Sequence, residues 1–200
     1  MNTKLYREGN ISYALTDDFF TEKELSCVKK ELQDVDRFLV APKETNTAYA
    51  ANGKPLKEGR GVFLDDIYTG NRAASDILTA CRKLFSDEYI RKLAEFDLAF
   101  ALIAESDSDH TLLNRYTSGG HYRTHRDDAL ISTVIMLGWE AFSGGDFVLG
   151  NKLIPFKNNR AITFLGLTPH GCTPIEGEGV RYSLAVFMDR LMDRQTRLHN

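Results

Sequence analysis

The C-terminal half of the chain is a series of short β-prone segments, separated by turn residues at intervals of about ten positions. Gly119–Gly120, Gly144–Gly145 and Pro169 are among the residues that punctuate it. Regularly spaced strands of this kind are typical of an antiparallel sandwich or a jelly roll. The predicted strands are 98–104, 111–116, 131–137, 146–149, 161–165 and 182–188.

The N-terminal half reads mainly as helix. Thr21 and Glu24 have the spacing of a capping box, and the apolar residues that follow recur at steps of three and four. A second helix is predicted over 75–93. Helices followed by strands make the class α+β, with helices buttressing one face of the sheet. We expect one domain over 1–200, with mainly helical support in 1–96 and the strand core in 97–190.

Residues 41–61 are polar, rich in glycine and proline, and without regular periodicity. A loop of this length in a compact domain is either functional or a mobile insertion. The functional interpretation is a loop that covers a substrate; the alternative is a surface insertion. Both interpretations remain open on sequence alone.

Composition and charge disfavour several classes of protein. The formal net charge of -3 disfavours nucleic acid as a partner, and no apolar run is long enough to span a membrane. The N-terminus lacks the apolar stretch of a secretory signal, so we expect a cytoplasmic protein. Cys27, Cys81 and Cys172 are odd in number and widely spaced, which indicates reduced thiols. The oligomeric state cannot be read from this sequence.

His125 and Asp127 flank a single residue just before a predicted strand. Side chains two apart in an extended segment point to the same face, so both could bind one ion. His170, next to Pro169 and Gly171, supplies a third candidate ligand. Two imidazoles and one carboxylate leave coordination positions open, the arrangement that non-haem Fe(II) oxygenases use.

Arg181 adds specificity to this otherwise common pattern. It stands eleven residues after His170 and begins a β-prone stretch. Its guanidinium could bind a carboxylate of a dicarboxylic co-substrate through two parallel hydrogen bonds. A metal-binding cupin-like domain without turnover has no need of such an anchor, and a zinc hydrolase would require a general base that is not recognisable here.

These blocks resemble the 2-oxoglutarate- and Fe(II)-dependent dioxygenases, in particular their prolyl 4-hydroxylase-like branch. Residues 116–127 are similar to the family pattern Y-x-x-G-G-x-Y-x-x-H-x-D. Residues 132–137 and 144–147 look like the following strand and G-G-[ED] turn, and 161–183 look like the closing strands. The resemblance covers roughly 112–188 and implies a double-stranded β-helix, the jelly roll of this superfamily.

Carried across, the resemblance makes His125, Asp127 and His170 the iron ligands and the catalytic centre, with Arg181 as the 2-oxoglutarate anchor. It places Tyr116 beside the co-substrate and Ser183 as a helper of Arg181. Fe(II), 2-oxoglutarate and dioxygen are the implied cofactor and co-substrates. For Tyr116, a core aromatic with a satisfied hydroxyl is the alternative.

The chain also departs from its relatives. Leu137 stands where many of them carry a tyrosine that holds 2-oxoglutarate, so Ser183, Thr133 or another group must supply that hydrogen bond. Collagen-type enzymes usually have lysine in place of Arg181. Related halogenases replace the metal-binding carboxylate with a small residue, and the retained Asp127 therefore favours hydroxylation.

Three neighbours compete for the metal and are rejected. His121 is interpreted as a surface or neighbouring residue, Asp128 as pointing away from His125, and Cys172 as core. The predicted reaction is hydroxylation of an aliphatic C–H, with a prolyl residue in a peptide or protein favoured. A free amino acid such as proline, lysine or arginine is the alternative substrate, and a non-catalytic cupin-like domain the alternative class.

Overall fold

A computed structural model describes residues 2–45 and 53–190 of the chain, which form a mixed α/β fold with two large antiparallel sheets. Short 3₁₀ turns connect several of the helices. The α-helices are α1 Glu22–Val35, α2 Leu64–Ile67, α3 Asp76–Cys81 and α4 Asp87–Phe96. The strands are β1 Asn2–Glu8, β2 Ile11–Asp17, β3 Lys57–Glu58, β4 Arg60–Phe63, β5 Ser108–Tyr116, β6 His121–His125, β7 Ile131–Leu137, β8 Ser143–Gly144, β9 Phe147–Leu149, β10 Lys152–Ile154, β11 Arg160–Leu165, β12 His170–Cys172, β13 Ile175–Glu176 and β14 Arg181–Asp189.

The larger sheet has seven strands in the order β1-β2-β11-β7-β14-β5-β4, and the smaller has five in the order β10-β9-β12-β6-β3. β8 and β13 form a separate two-stranded ribbon. Strands that are distant in sequence are neighbours in both sheets, as in jelly-roll topologies. This arrangement agrees with the predicted sandwich of strands.

The seven-stranded sheet is covered on both faces. On one face, side chains of β7 and β14 such as Ile135 and Leu184 pack with α1, α3 and α4 in the largest apolar cluster. On the other face, Val134 and Met136 of β7 pack with Phe147 and Leu149 of the smaller sheet. Because residues alternate between faces, all of β7 is buried. The second face, between the sheets, also forms one wall of a cavity.

The predicted start of the first helix is confirmed. Thr21 accepts a hydrogen bond from the Glu24 backbone N–H, and the Glu24 side chain bonds back to Thr21, which completes the capping box. The helix predicted over 75–93 is wrong as one element. It consists of α3, a 3₁₀ turn over Arg82–Phe85 and α4, because Ser86 adopts an extended backbone and caps a new helix.

Three further expectations need correction. The segment 98–104 is a 3₁₀ helix over Leu98–Ile103, because the Asp97 side chain accepts from the Ala99 N–H and caps a helical turn. The N-terminal half also contributes the hairpin β1–β2 to the larger sheet, which was not predicted. Within the loop predicted over 41–61, residues 57–58 and 60–61 are strand, and 46–52 lie outside the described residues.

None of the helices described is both long and apolar enough to cross a membrane.

Candidate metal centre and co-substrate pocket

Three predicted metal ligands meet at the end of two paired strands. His125 is the last residue of β6 and His170 the first of β12, and they are register partners in the smaller sheet. Asp127 follows β6, and its backbone N–H donates to the Gly166 carbonyl at 2.9 Å. One ligand atom from each of the three residues lies within 4.8 Å of the other two. A single ion can therefore be bound by all three.

Hydrogen bonds orient these side chains for metal binding. Nδ1 of His125 lies 2.9 Å from the Arg123 carbonyl, and Nδ1 of His170 lies 2.9 Å from the Thr168 carbonyl. Because a carbonyl only accepts, each Nδ1 carries the proton and each Nε2 presents its lone pair to the centre. The Ser132 hydroxyl donates to Asp127 Oδ2 at 2.6 Å, which fixes the carboxylate.

The electrostatics favour the protonation states that a metal requires. Burial, together with the neighbouring His170, lowers the pKa of His125 to about 4, so this imidazole is neutral near pH 7. For Asp127, burial acts to raise the pKa, but its close contact with His170 and the hydrogen bond from the Ser132 hydroxyl keep it below its usual value. A neutral imidazole beside an ionised carboxylate is the donor set that binds divalent metals.

The triad opens onto a cavity of about 590 Å³ between the two sheets. Arg181, at the start of β14, lines the same cavity and is only 1% exposed. Its Nε and Nη1 atoms are buried and have no hydrogen-bond partner in the part of the chain that the structure describes. Leaving a buried charged donor unpaired is costly, so these atoms indicate a site that an anion can occupy.

Tyr116 and Gly145 shape the surroundings of this arginine. Tyr116 is the register partner of Arg181, and the guanidinium lies 5.3 Å from the centre of its ring. A Cβ on Gly145 would lie 2.8 Å from Arg181 Cδ, so only glycine lets the turn before β9 pack on this side chain. Burial, then the nearby Cys172, raises the pKa of Tyr116, while Arg181 and a hydrogen bond with Ser183 oppose the rise. Its phenol therefore stays protonated.

The residues present fit the cofactor set that the sequence predicts. Two imidazole nitrogens and a carboxylate on one side of a cavity match the ligands of Fe(II) in oxygenases and leave positions free. The unpaired guanidinium fits a carboxylate at the other end of the same cavity. A five-carbon dicarboxylic acid is thus a suitable bridge between metal and arginine.

The neighbouring candidates lie outside the metal-binding group. Among the residues described, the group contains only the three predicted ligands. His121 bonds the Gly119 carbonyl through Nδ1, and Asp128 is exposed. Cys172 is buried in an apolar cluster with Tyr116 and also lines the cavity, so it is both core and wall.

Leu137, which stands where relatives carry a co-substrate tyrosine, and Thr133, a candidate for the replacement donor, both face away from the cavity. Leu137 packs in the helix-side cluster, and the inward-facing residues of β7 at this end are Val134 and Met136. Thr133 also points to the helix side, where its hydroxyl lies 2.8 Å from that of Thr163. Neither residue can therefore contact a ligand in the cavity. Ser183, by contrast, lines it.

Sequence reasoning missed three polar or aromatic residues at the site. Tyr122 stacks on the His125 ring with centroids 3.6 Å apart, and its place three residues before His125 in the motif was a usable signal. Asn114 lines the cavity next to Ser183, and Lys57 donates to Asn114 Oδ1 at 2.7 Å. Lys57 lies in the segment predicted as an irregular loop, so no pattern marked it.

Comparison with known proteins supports the same assignment. Residues 111–189 match the family model described as the 2OG-Fe(II) oxygenase superfamily. This confirms the resemblance predicted from the sequence, and with it Fe(II), 2-oxoglutarate and dioxygen as the cofactor and co-substrates of the family. No curated protein sequence matches the chain.

Several solved structures share the fold at low sequence identity. A Pseudomonas putida prolyl-4-hydroxylase aligns with a TM-score of 0.62 and 17% identity, over 90% of this chain and 94% of that one. A Trichoplax adhaerens prolyl hydroxylase, solved with a hypoxia inducible factor peptide fragment, aligns at 0.60 and 13%, over 94% and 87%. A viral collagen prolyl hydroxylase from Paramecium Bursaria Chlorella virus-1 aligns at 0.50 and 16%, over 87% and 94%. These similarities establish the fold.

Proposed function

We propose that this chain is a 2-oxoglutarate- and Fe(II)-dependent dioxygenase that hydroxylates an aliphatic C–H, with a prolyl residue in a peptide or protein as the substrate. The observation that carries the proposal is one cavity lined both by three side chains that can bind a metal and by a buried, unpaired arginine. A purely metal-binding domain would have no use for that arginine. The fold we assign is the double-stranded β-helix of this superfamily.

The residues of the chain have separate tasks in this reaction. His125, Asp127 and His170 bind Fe(II), and the retained Asp127 favours hydroxylation over halogenation. Bound Fe(II) and 2-oxoglutarate supply the oxidising chemistry, in which dioxygen and 2-oxoglutarate are consumed and succinate and carbon dioxide are released. Arg181 binds the distal carboxylate, with Tyr116 and Ser183 beside it. Ser132 keeps Asp127 oriented, and Tyr122 covers one face of His125.

The choice of a prolyl substrate rests on the fold. Prolyl hydroxylases are among the structures that share it, and one of them was solved with a peptide bound. The free amino acid alternative is a substrate that fits entirely within the cavity. The cytoplasm is the compartment that we propose for either reaction.

The charges that line the cavity favour a positively charged substrate, whether it is a peptide or a free amino acid. Asp66, Asp128 and Asp189 line the cavity, and no cation forms an ion pair with them within the described part of the chain. Asp65 also lines it but is paired with Arg72 at 2.5 Å. Among the described lining residues the arginines are Arg126 and the buried Arg181. Net negative charge here attracts lysine or arginine side chains near the reacting carbon.

A substrate panel tests this function. Fe(II)-loaded protein is incubated with 2-oxoglutarate and with proline peptides flanked by lysine or by glutamate, and with free proline, lysine and arginine. We expect succinate and a mass gain of one oxygen with at least one substrate, and faster turnover of the basic peptides than of the acidic ones. Asp127→Ala should abolish both readouts, whereas Asp34→Ala, at an exposed position of α1, should keep them. Full activity of Asp127→Ala would refute the assignment.

A further inference from the structure

Lys57 is a buried ammonium without a carboxylate partner. Lys57 is 4% exposed, and in the described ranges its ammonium is bonded to the neutral Asn114 side chain and forms no ion pair with an acidic one. Lys57 and Tyr122 are register partners of β3 and β6, and Lys57 Nζ lies 5.5 Å from the centre of the Tyr122 ring. The side chain is thus held beside the cavity wall rather than in solvent.

Among the described residues, the hydrogen-bond partner of the Lys57 ammonium is Asn114, which is 3% exposed. An ammonium can only donate, so Asn114 must turn its Oδ1 toward Lys57. The Nδ2 of Asn114 must consequently point the other way. No acceptor bonds this Nδ2 among the residues that the structure describes, while the Asn114 side chain lines the cavity. Lys57 thereby fixes an amide that could otherwise rotate.

The strand register places this amide next to Arg181. Asn114 pairs with Ser183 across β5 and β14, and Tyr116 pairs with Arg181 two positions along. All four side chains line the cavity and form one patch of its wall. Diagonal neighbours in such a patch are about 7 Å apart, close enough for both to contact one carboxylate.

Gly61 makes room for the arrangement. It pairs with Asn114 across β4 and β5, and a Cβ at this position would lie 3.0 Å from Asn114 Oδ1 and 3.4 Å from Lys57 Nζ. The glycine therefore leaves the space in which the ammonium and the amide meet. β3 and β4 bring Lys57 to the site from a distant part of the sequence.

We propose that Lys57 is a positioning residue that aims Asn114 Nδ2 at the distal carboxylate of 2-oxoglutarate, next to Arg181. This inference rests on the proposed function, because the ligand is the co-substrate of that reaction. It identifies the donor that neither Leu137 nor Thr133 can supply, since both face the helices. It also gives the buried positive charge of Lys57 a compensating anion nearby.

Binding measurements test the pair without relying on turnover. Protein loaded with Mn(II) in place of Fe(II) is titrated by calorimetry with 2-oxoglutarate, and with 2-oxopentanoate, which has a methyl group in place of the distal carboxylate. The variants are Lys57→Met, which removes the donor, and Asn114→Asp, which removes the amide N–H and adds a negative charge. Lys152→Met, at an exposed lysine paired with Glu8, is the matched control.

We expect Lys57→Met to weaken 2-oxoglutarate about tenfold and Asn114→Asp about a hundredfold, with 2-oxopentanoate affinity unchanged. Unaltered 2-oxoglutarate affinity in both variants, or equal losses for the two acids, would overturn the inference. If one variant does not fold, the other decides. Failure of the unmodified protein to bind 2-oxoglutarate would instead contradict the proposed function itself.

Discussion

The two faces of the seven-stranded sheet differ in whether their buried polar and charged groups have partners within the protein. On the helix side, the hydroxyl of Thr163 lies 2.8 Å from that of Thr133 and 2.9 Å from that of Tyr89. On the cavity side, Arg181 has two buried nitrogens without a partner in the described part of the chain, and Lys57 is bonded there to a neutral amide. These helix-side hydroxyls are paired within the protein, whereas the buried charged groups on the cavity side are left for a ligand.

This difference separates stability from function. A buried polar group that is paired costs little, while an unpaired buried charge destabilises the folded chain unless a ligand neutralises it. The helix side also contains the largest apolar cluster, including Leu84 and Leu93 at 0% exposure. We infer that the helix side supplies most of the folding free energy and that the cavity side retains groups that are unfavourable without a ligand.

Arg181→Met is the change expected to have the largest effect. Loss of the guanidinium should weaken 2-oxoglutarate binding by about 2 to 5 kcal/mol, which is at least thirtyfold in Kd. The metal-free, ligand-free protein should unfold at the same temperature as the unmodified one or higher, because an unpaired buried charge is removed. Calorimetric titration and thermal unfolding measure the two quantities.

Arg160→Met is the control for this prediction. Arg160 is paired with Asp17 at 2.6 Å, so its loss should lower stability slightly and leave 2-oxoglutarate affinity alone. The opposite pattern, a lower unfolding temperature with unchanged affinity in Arg181→Met, would mean that Arg181 is a structural residue.

Leu84→Ala is the corresponding change on the helix side. It truncates a fully buried side chain, and we expect a loss of about 3 kcal/mol in the free energy of unfolding. The Kd for 2-oxoglutarate of the folded protein should stay within twofold, because the residue packs on the face away from the cavity. Urea unfolding and titration at low temperature distinguish the effects. A matching fall in affinity would show that the two faces are coupled.

The sequence predicted the parts of the molecule that local patterns specify. The capping box at Thr21 depends on four consecutive residues, and β7 is a continuous β-prone run, so both were found. The three side chains of the metal-binding group were singled out because the motif around His125 has several residues at fixed spacing. The 3₁₀ helix after Asp97 was missed because one capping side chain outweighed β propensity over 98–104.

Features that depend on pairing between distant segments could not be predicted. Thr133 was a candidate donor to the co-substrate, yet the face of a strand is set by its packing on both sheets, and a shift of one residue reverses it. Lys57 acquires its role only when β3 pairs with β6 and β4 with β5. Neither pairing leaves a signal in the order of residues between 41 and 61.

The smallest predicted effect concerns pH and tests Lys57 directly. Burial lowers the pKa of Lys57 from 10.5 to about 8 in the folded chain. Between these two values the unfolded chain binds more protons than the folded one, so the stability contribution of this residue rises with pH. The unmodified protein should therefore gain stability relative to Lys57→Met between pH 7 and 10, by at most about 3 kcal/mol.

Urea unfolding of the metal-free proteins at several pH values measures this gain, and subtracting the variant cancels the titrating groups that do not interact with Lys57. Parallel curves would mean that the ammonium is not held in a costly environment. Saturating Mn(II) and 2-oxoglutarate should reduce the slope, because a nearby carboxylate stabilises the charged ammonium and raises its pKa. An unchanged slope in the complex would place the bound carboxylate away from Lys57, and the cavity side would then contain one unpaired cation that no ligand compensates.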